Sequence, residues 1–210
     1  YGVAGVHLDY VRFPNEAFDF SRASLQQFKA NVRPQLTETE RRRVDGQETS
    51  NPLAYTMLFP DRWNSFRQSR LTTLVMRVRT AVKAVRPDLT VSVAVVPDAT
   101  AAAASRMQDW RTWLDQSLID VLCPMAYTQD RELFEQQIRT AQAFAGQRPV
   151  WAGVGAYRLS ASATLDRIAA ARRHKAAGII LFSYESLVTP PNSATSLTEL
   201  GRAAFGNGFR

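Results

Sequence analysis

Residues 3–14 read VAGVHLDYVRFP. The first seven, VAGVHLD at 3–9, have the apolar, β-branched character of a buried strand, yet the run ends on a carboxylate, Asp9, followed by Tyr10, Arg12 and Pro14. Two architectures place strands of this kind in a parallel sheet, and they differ in the turn that leaves the strand. A nucleotide-binding open sheet needs a glycine-rich turn there, so that backbone N–H groups can approach phosphates. The stretch DYVRFP contains no glycine, and GVGAY at 153–157 does not complete G-x-G-x-x-G because position 158 is Arg. A (β/α)8 barrel instead carries polar side chains at the C-terminal ends of several strands, where they form its active site.

The rest of the chain repeats the pattern. Strand-like runs recur at TVSVAVVP (90–97), LIDVLCPMAY (118–127), PVWAGVGAY (149–157) and GIILFSYE (178–185). The last four begin at 90, 118, 149 and 178, a βα period of about 30 residues. Between them lie helical patterns. In 66–85, Phe66, Leu71, Leu74, Val75, Val78, Val82 and Val85 recur at three- and four-residue spacing and Pro87 closes the run. The spacing predicts a further helix over 105–116, opened by Ser105 with Gln108 as its capping-box partner, and others over 132–145 and 164–177. Gly146 and Gly178 stand where helix ends or turns favour glycine. Alternating apolar strands and helices predict a parallel sheet covered by helices.

At 210 residues and 45% hydrophobic content, one domain with a sizeable core is expected. The apolar runs are strand-length, well short of the ~20 residues a membrane helix needs. Lys and Arg exceed Asp and Glu by 26 − 19 = 7. That surplus is scattered through helical stretches such as RVRTAVKAVR, and the densest run, ETERRRVD at 38–45, contains acids too. This is the pattern of solvated faces and not of a nucleic-acid stripe. The lone cysteine, Cys123, excludes an internal disulfide and, lying in a strand, is expected to be buried and inert. His7 and His174 are too far apart in sequence to suggest a metal cluster, no G-x-S-x-G nucleophile motif is present, and no cofactor is expected.

Alternation along the strands predicts which side chains enter a barrel lumen. Gly5, His7 and Asp9 share one face of the first strand, putting Asp9 at the rim; Asp98 falls just past the second strand and Tyr127 at the end of the third. The fourth carries Trp151 and Tyr157, and the last ends in Ser183, Tyr184 and Glu185. Carboxylates with aromatics around one mouth suit a sugar, the acids supplying proton transfer or nucleophilic attack and the rings a stacking surface. Each residue also has a plainer reading. Asp9 could pair with Arg12, His7 could be a core histidine, Glu185 could open a helix, and Asp98 in PDAT is a good N-cap. Asp120 opens a strand on the lower, stability face, while Trp110 and Trp113 fall on a helix and are expected in the core.

GVAGVHLDYVRFP, WNSFRQSRLTTLV, WRTWLDQSLIDVLCPMAY and GIILFSYESL together resemble the glycosyl-hydrolase-like family ten, from residue 1 to about 188. The resemblance implies a bacterial, usually exported (β/α)8 barrel related to glycoside hydrolases. It further implies that the first strand here is the fourth of the barrel, that Asp9 is the active-site acid, and that strands one to three are missing. This chain would then be the C-terminal part of a single TIM-barrel domain, about five βα units comprising strands four to eight. Phe13 departs from the commoner tyrosine of that motif.

The 14–62 stretch then reads as a long βα-loop insertion on the active-site face, with a short helix in DFSRASLQQFKANV and turns at Asn51-Pro52 and Phe59-Pro60. Tyr55, Phe59 and Trp63 favour an ordered lid over a disordered excursion. The expected activity is cleavage of O-glycosidic bonds in an oligo- or polysaccharide, with Asp9 as nucleophile or base and Glu185 as the acid. His7, Tyr10, Arg12, Asp98, Tyr127, Trp151 and Tyr184 would contact the substrate. The alternatives are a non-catalytic carbohydrate-binding barrel, distinguished by whether a second acid lies within reach of Asp9, and a scaffold module, whose aromatics would be buried.

Overall fold

A computed structural model of the chain describes residues 2–189 and 194–206. Five strands, β1 (Gly5–Leu8), β2 (Thr90–Val95), β3 (Val121–Ala126), β4 (Trp151–Gly155) and β5 (Gly178–Phe182), form one parallel sheet in sequential order. The sheet is curled into a half-barrel. Each observed strand is shorter than the apolar run that foretold it, because the ladder stops where the chain turns away to its next helix. Register is tight: His7 lies beside Ser92, Ala94 beside Cys123, Met125 beside Gly153 and Gly155 beside Phe182.

Parallel neighbours in register share a face, so the concave surface carries His7, Ser92, Cys123, Met125, the β4 glycines and Phe182. The opposite face is apolar throughout and packs on helices. Val93, Val95 and Leu122 meet Trp110, Trp113 and Leu114 in one buried cluster, and Ala126, Ala152 and Val154 meet Phe134, Ile138 and Ala171 in another. Burying such side chains stabilises by roughly 1.5–3 kcal/mol each. Trp110 and Trp113 are core residues, as their helical spacing suggests.

The helices are α1 (Arg22–Val32), α2 (Glu38–Glu48), α3 (Ala54–Leu58), α4 (Pro60–Val85), α5 (Ala99–Arg106), α6 (Trp110–Asp115), α7 (Arg131–Ala145), α8 (Ala161–Arg173), α9 (Tyr184–Val188) and α10 (Ala194–Phe205). Their starts follow local chemistry. Asp98, Asp109, Asp130, Ser160 and Ser183 each accept a backbone N–H from the first turn of α5, α6, α7, α8 and α9. Pro60 opens α4, where its missing N–H costs nothing. Gly146 ends α7 at φ 61°, whereas Gly178 is a strand residue.

The helix expected over 105–116 is two helices. α5 ends at Arg106, Met107 takes a left-handed φ of 56°, and α6 starts on Asp109. Ser105 is no cap, since its hydroxyl donates back to the Ala101 carbonyl at 2.7 Å. Gln108 is fully buried and bonds to the backbone of distant segments instead.

Between β1 and α4 the chain builds a small helical body. Phe28, Val32, Leu36, Val44, Ala54 and Tyr55 pack around Trp63, with Phe28 and Trp63 rings 5.0 Å apart edge to face. Tyr55 donates to Asp45 at 2.6 Å, and Arg33 reaches the same carboxylate at 2.8 Å. The insertion is therefore ordered around the aromatics that suggested it. Asp120 lies at the strand starts, where it accepts the Val91 N–H at 2.9 Å and pairs with Arg79 and Lys83. Burial opposes its ionised form, but these donors prevail and hold its carboxyl below the ordinary range.

Candidate functional site at the C-terminal strand ends

A concavity of about 360 Å³ opens at the C-terminal end of the sheet, lined by Asp9, Tyr10, Arg12, Val96, Pro97, Met125, Tyr127 and Phe182. Asp9 leaves the end of β1 with one oxygen, Oδ1, accepting the Tyr10 N–H at 2.7 Å and standing 4.0 Å from Arg12 Nη1. The turn that makes this possible is tight: Tyr10 sits at φ 54°, and its carbonyl accepts the Arg12 N–H at 2.7 Å. A left-handed non-glycine residue costs roughly 1–2 kcal/mol, which the surrounding contacts must outweigh. The Arg12 guanidinium lies 4.6 Å from the Tyr10 ring centre, and its Nη1 is buried without a hydrogen-bond acceptor. At 4.0 Å that Nη1 is too far from Asp9 for a hydrogen bond, and the two groups meet only as an ion pair at its outer limit.

The segment after β1 is fixed from below by Gln108. Its side-chain N–H groups donate to the Val11 carbonyl at 3.2 Å and the Ala94 carbonyl at 3.1 Å, and its Oε1 accepts the Val96 N–H at 2.8 Å. One buried amide thus ties the Asp9 turn to the end of β2. Phe13 N–H adds a bond to the Arg106 carbonyl at 2.9 Å.

An aromatic wall forms another part of the mouth. Tyr127, just past β3, stacks on Phe182 with centroids 5.2 Å apart and planes 12° from parallel, and Tyr157 meets both rings edge-on at 6.2 and 5.9 Å. The wall fits because β4 has no side chains beneath it. A Cβ on Gly153 would lie 2.6 Å from the Pro124 carbonyl oxygen and 3.2 Å from the Tyr127 ring, and one on Gly155 would lie 2.9 Å from Tyr127 Cβ. The Tyr127 phenol is pushed up to about 12, by burial first and by the Asp9 charge second. It stays a neutral hydroxyl at any ordinary pH.

The remaining expected residues are dispersed. His7 is on the concave face two residues below Asp9, with Nδ1 2.8 Å from Ser92 Oγ. Asp98 caps α5, accepting the Ala101 N–H at 2.8 Å, and faces a separate surface cleft beside α7. Trp151 does not reach the mouth. It is the first residue of β4, beside Gly178, while the mouth is at the last pair, Gly155 and Phe182; four residues at about 3.3 Å each separate them. Alternation assigned its face correctly, but face does not fix height along the strand. Tyr184 and Glu185 lie in the first turn of α9, both exposed, and neither lines the concavity.

Phe182 and Gln108 were not foreseen. Phe182 was legible, since it shares an alternation face with Gly178 and Ile180; Gln108 was not, because its partners are 12 to 97 residues away. Among the described residues no three His, Cys, Asp or Glu side chains converge as metal ligands, and no helix is long and apolar enough to cross a membrane.

A curled parallel half-barrel with a carboxylate, an arginine and an aromatic wall at its C-terminal strand ends defines an α/β protein with its candidate site on the face where barrel enzymes carry theirs. The chain belongs to the glycosyl hydrolase-like 10 family, whose model matches residues 1–159. That stretch includes Asp9, Arg12 and Tyr127 and stops before Phe182 and Glu185. No curated protein matches the chain.

Proposed function

We propose that this chain is the strand-four-to-eight portion of a (β/α)8 glycoside hydrolase that cleaves O-glycosidic bonds in an oligo- or polysaccharide. The observation that carries this reading is the shared concavity of Asp9 with the Tyr127 and Phe182 rings at the C-terminal strand ends. A pyranose ring lying on the aromatics presents its C1 region toward the carboxylate. Asp9 acts there as nucleophile or general base, held by the Tyr10 N–H and paired with Arg12. The acid is assigned to Glu185, just past the same end of β5; it stands outside the residues lining the concavity, so it protonates the leaving oxygen only of a substrate that extends beyond that lining. A polymeric substrate of this kind accords with export.

Asp9→Asn keeps size and shape but removes the charge. Turnover of a soluble oligosaccharide is expected to fall by roughly three orders of magnitude or more, with thermal stability and binding almost unchanged. Hydrolysis at the parent rate would overturn the reading.

One observation favours a second reading. Asp9 is the only carboxylate among the residues lining the concavity. A barrel that binds sugar without cutting it needs no second acid, and it would retain binding in both the parent and Asp9→Asn with turnover in neither.

A further inference from the structure

We infer that the cleft between the β2–α5 turn and α7 is a second stretch of the carbohydrate site, joined to the Asp9 concavity across Pro97, and that the ligand is an oligosaccharide chain long enough to occupy both. The inference rests on the proposed carbohydrate function and gives that function a polymeric ligand in place of a single terminal sugar.

Pro97 lines both hollows. On one side of it lies the concavity of Asp9, and on the other a cleft of about 310 Å³ bounded by Asp98, Arg111 and the side of α7 that carries Gln136, Gln137, Thr140 and Phe144. Its walls are complete within this chain, since β2 is paired on both edges and α7 packs between α6 and α8. Arg111 lies 4.4 Å from the Phe144 ring centre and Trp110 meets the same ring edge-on at 5.6 Å, which fixes the end of the cleft farthest along α7.

The polar groups of this cleft are unengaged. Among the described residues, the side chains of Gln136, Gln137, Thr140 and Arg111 have no hydrogen-bond partner, and Asp98 uses only Oδ1, on the Ala101 N–H. Gln137 Oε1 is buried as well, an acceptor left without a donor. The side of α7 turned to α8 differs: Glu135 binds Arg173 and His174, and Gln142 donates to the Lys175 carbonyl at 2.7 Å. A buried acceptor without a donor is destabilising, and a ligand hydroxyl that reaches it removes that cost. The terminal amide torsion is soft, so Gln137 turns readily to meet one.

Two amides, a hydroxyl, a guanidinium and a carboxylate oxygen mix donors with acceptors, and the two charges, Arg111 and Asp98, offset each other. Sugar hydroxyls donate and accept at once and carry no charge, whereas a charged chain would be opposed by one of the two. From Gln136 to Phe144 the α7 wall runs about 12 Å, which adds to the concavity beyond Pro97 a track for further sugar units in line.

The test is calorimetry on the full chain carrying Asp9→Asn, with the hexaoses and trisaccharides of two series, β-1,4-glucose and β-1,4-N-acetylglucosamine, as probes. In at least one series the hexaose should bind at least tenfold more tightly than the trisaccharide. Gln137→Leu, similar in volume and favourable in a helix, should weaken hexaose binding by roughly fivefold or more. Gln136→Trp, at an exposed position, fills the cleft without entering the core and should weaken it as much. Melting curves check that both variants fold. Equal binding of hexaose and trisaccharide, or hexaose binding by either folded variant within twofold of its parent, would overturn the inference and leave the Asp9 concavity as a sugar site on its own. Binding of no probe would overturn it too. Failure of the hydrolase reading appears separately, as unaltered turnover when Asp9 alone is replaced.

Discussion

Gln108 Nε2 donates to the Val11 carbonyl across 97 residues of sequence, and the same amide serves Ala94 and Val96 on β2 and just beyond it. This side chain is fully buried, so its bonds have no solvent substitute. It is what places the turn carrying Asp9 against the neighbouring strand.

Gln108→Leu keeps the volume but leaves one backbone N–H and two carbonyls without their partner. At roughly 1–3 kcal/mol per unsatisfied buried group, partly relieved by relaxation, a loss of about 3 kcal/mol is expected. Urea unfolding reads it directly; a midpoint unchanged from the parent would show that the amide does not fix the turn.

Gly155→Ala tests the seat of the aromatic wall. The added methyl would stand 2.9 Å from Tyr127 Cβ and 3.1 Å from its Cα, so backbone must give way. Overpacking of this kind costs about 1–3 kcal/mol. The near-ultraviolet circular dichroism of the Tyr127, Tyr157 and Phe182 cluster should change with it, whereas Gly46→Ala, in open surroundings on α2, should leave that spectrum alone.

Glu185→Gln should lower turnover of unactivated oligosaccharides by roughly 100-fold or more, and much less for substrates with an activated aryl leaving group, if it donates the proton. Equal losses on both substrate types would assign the acid to another residue.

Acid stability should depend on Glu135. His174 Nε2 at 2.9 Å, Arg131 at 3.0 Å and Arg173 at 3.1 Å surround its carboxyl and hold it at about 2 instead of 4.5, with His174 the largest cause and Arg131 next. Because the unfolded chain takes up this proton near pH 4.5 and the folded one only near 2, the contribution is complete above the higher value and is lost as pH falls toward the lower. Urea midpoints of parent and Glu135→Gln should therefore converge between those two values; a gap that is constant with pH would remove Glu135 from the acid response.

Cys123 should be unreactive in the folded protein. It is 2% exposed, and burial pushes its thiol up to about 12. At a pH of about 8 an aromatic disulfide reagent should label it at least ~100-fold more slowly than in guanidinium, since both thiolate and access are lacking. Equal rates would mean that β3 opens freely.

The alternating strand and helix pattern, the glycine-free turn after β1 and the lumen-facing positions of His7, Asp9 and Tyr127 were all set by local sequence. Period-two and period-3.6 patterning depends only on near neighbours, and the order of the five strands follows from their regular spacing. Even the cap at Asp98 could be read, because an N-cap acts within about three residues. The split between α5 and α6 could not, since Gln108 leaves its local capping role to satisfy three backbone groups on distant segments. Nor could the height of Trp151 at the foot of β4, although alternation did put Phe182 on the same face as Gly178 and Ile180. Alternation gives the face of a strand but not where its ladder begins, and that is decided by register against neighbouring strands. The aromatic wall itself required Tyr127, the two β4 glycines and Phe182 to meet across three strands, and only the curled sheet brings them together.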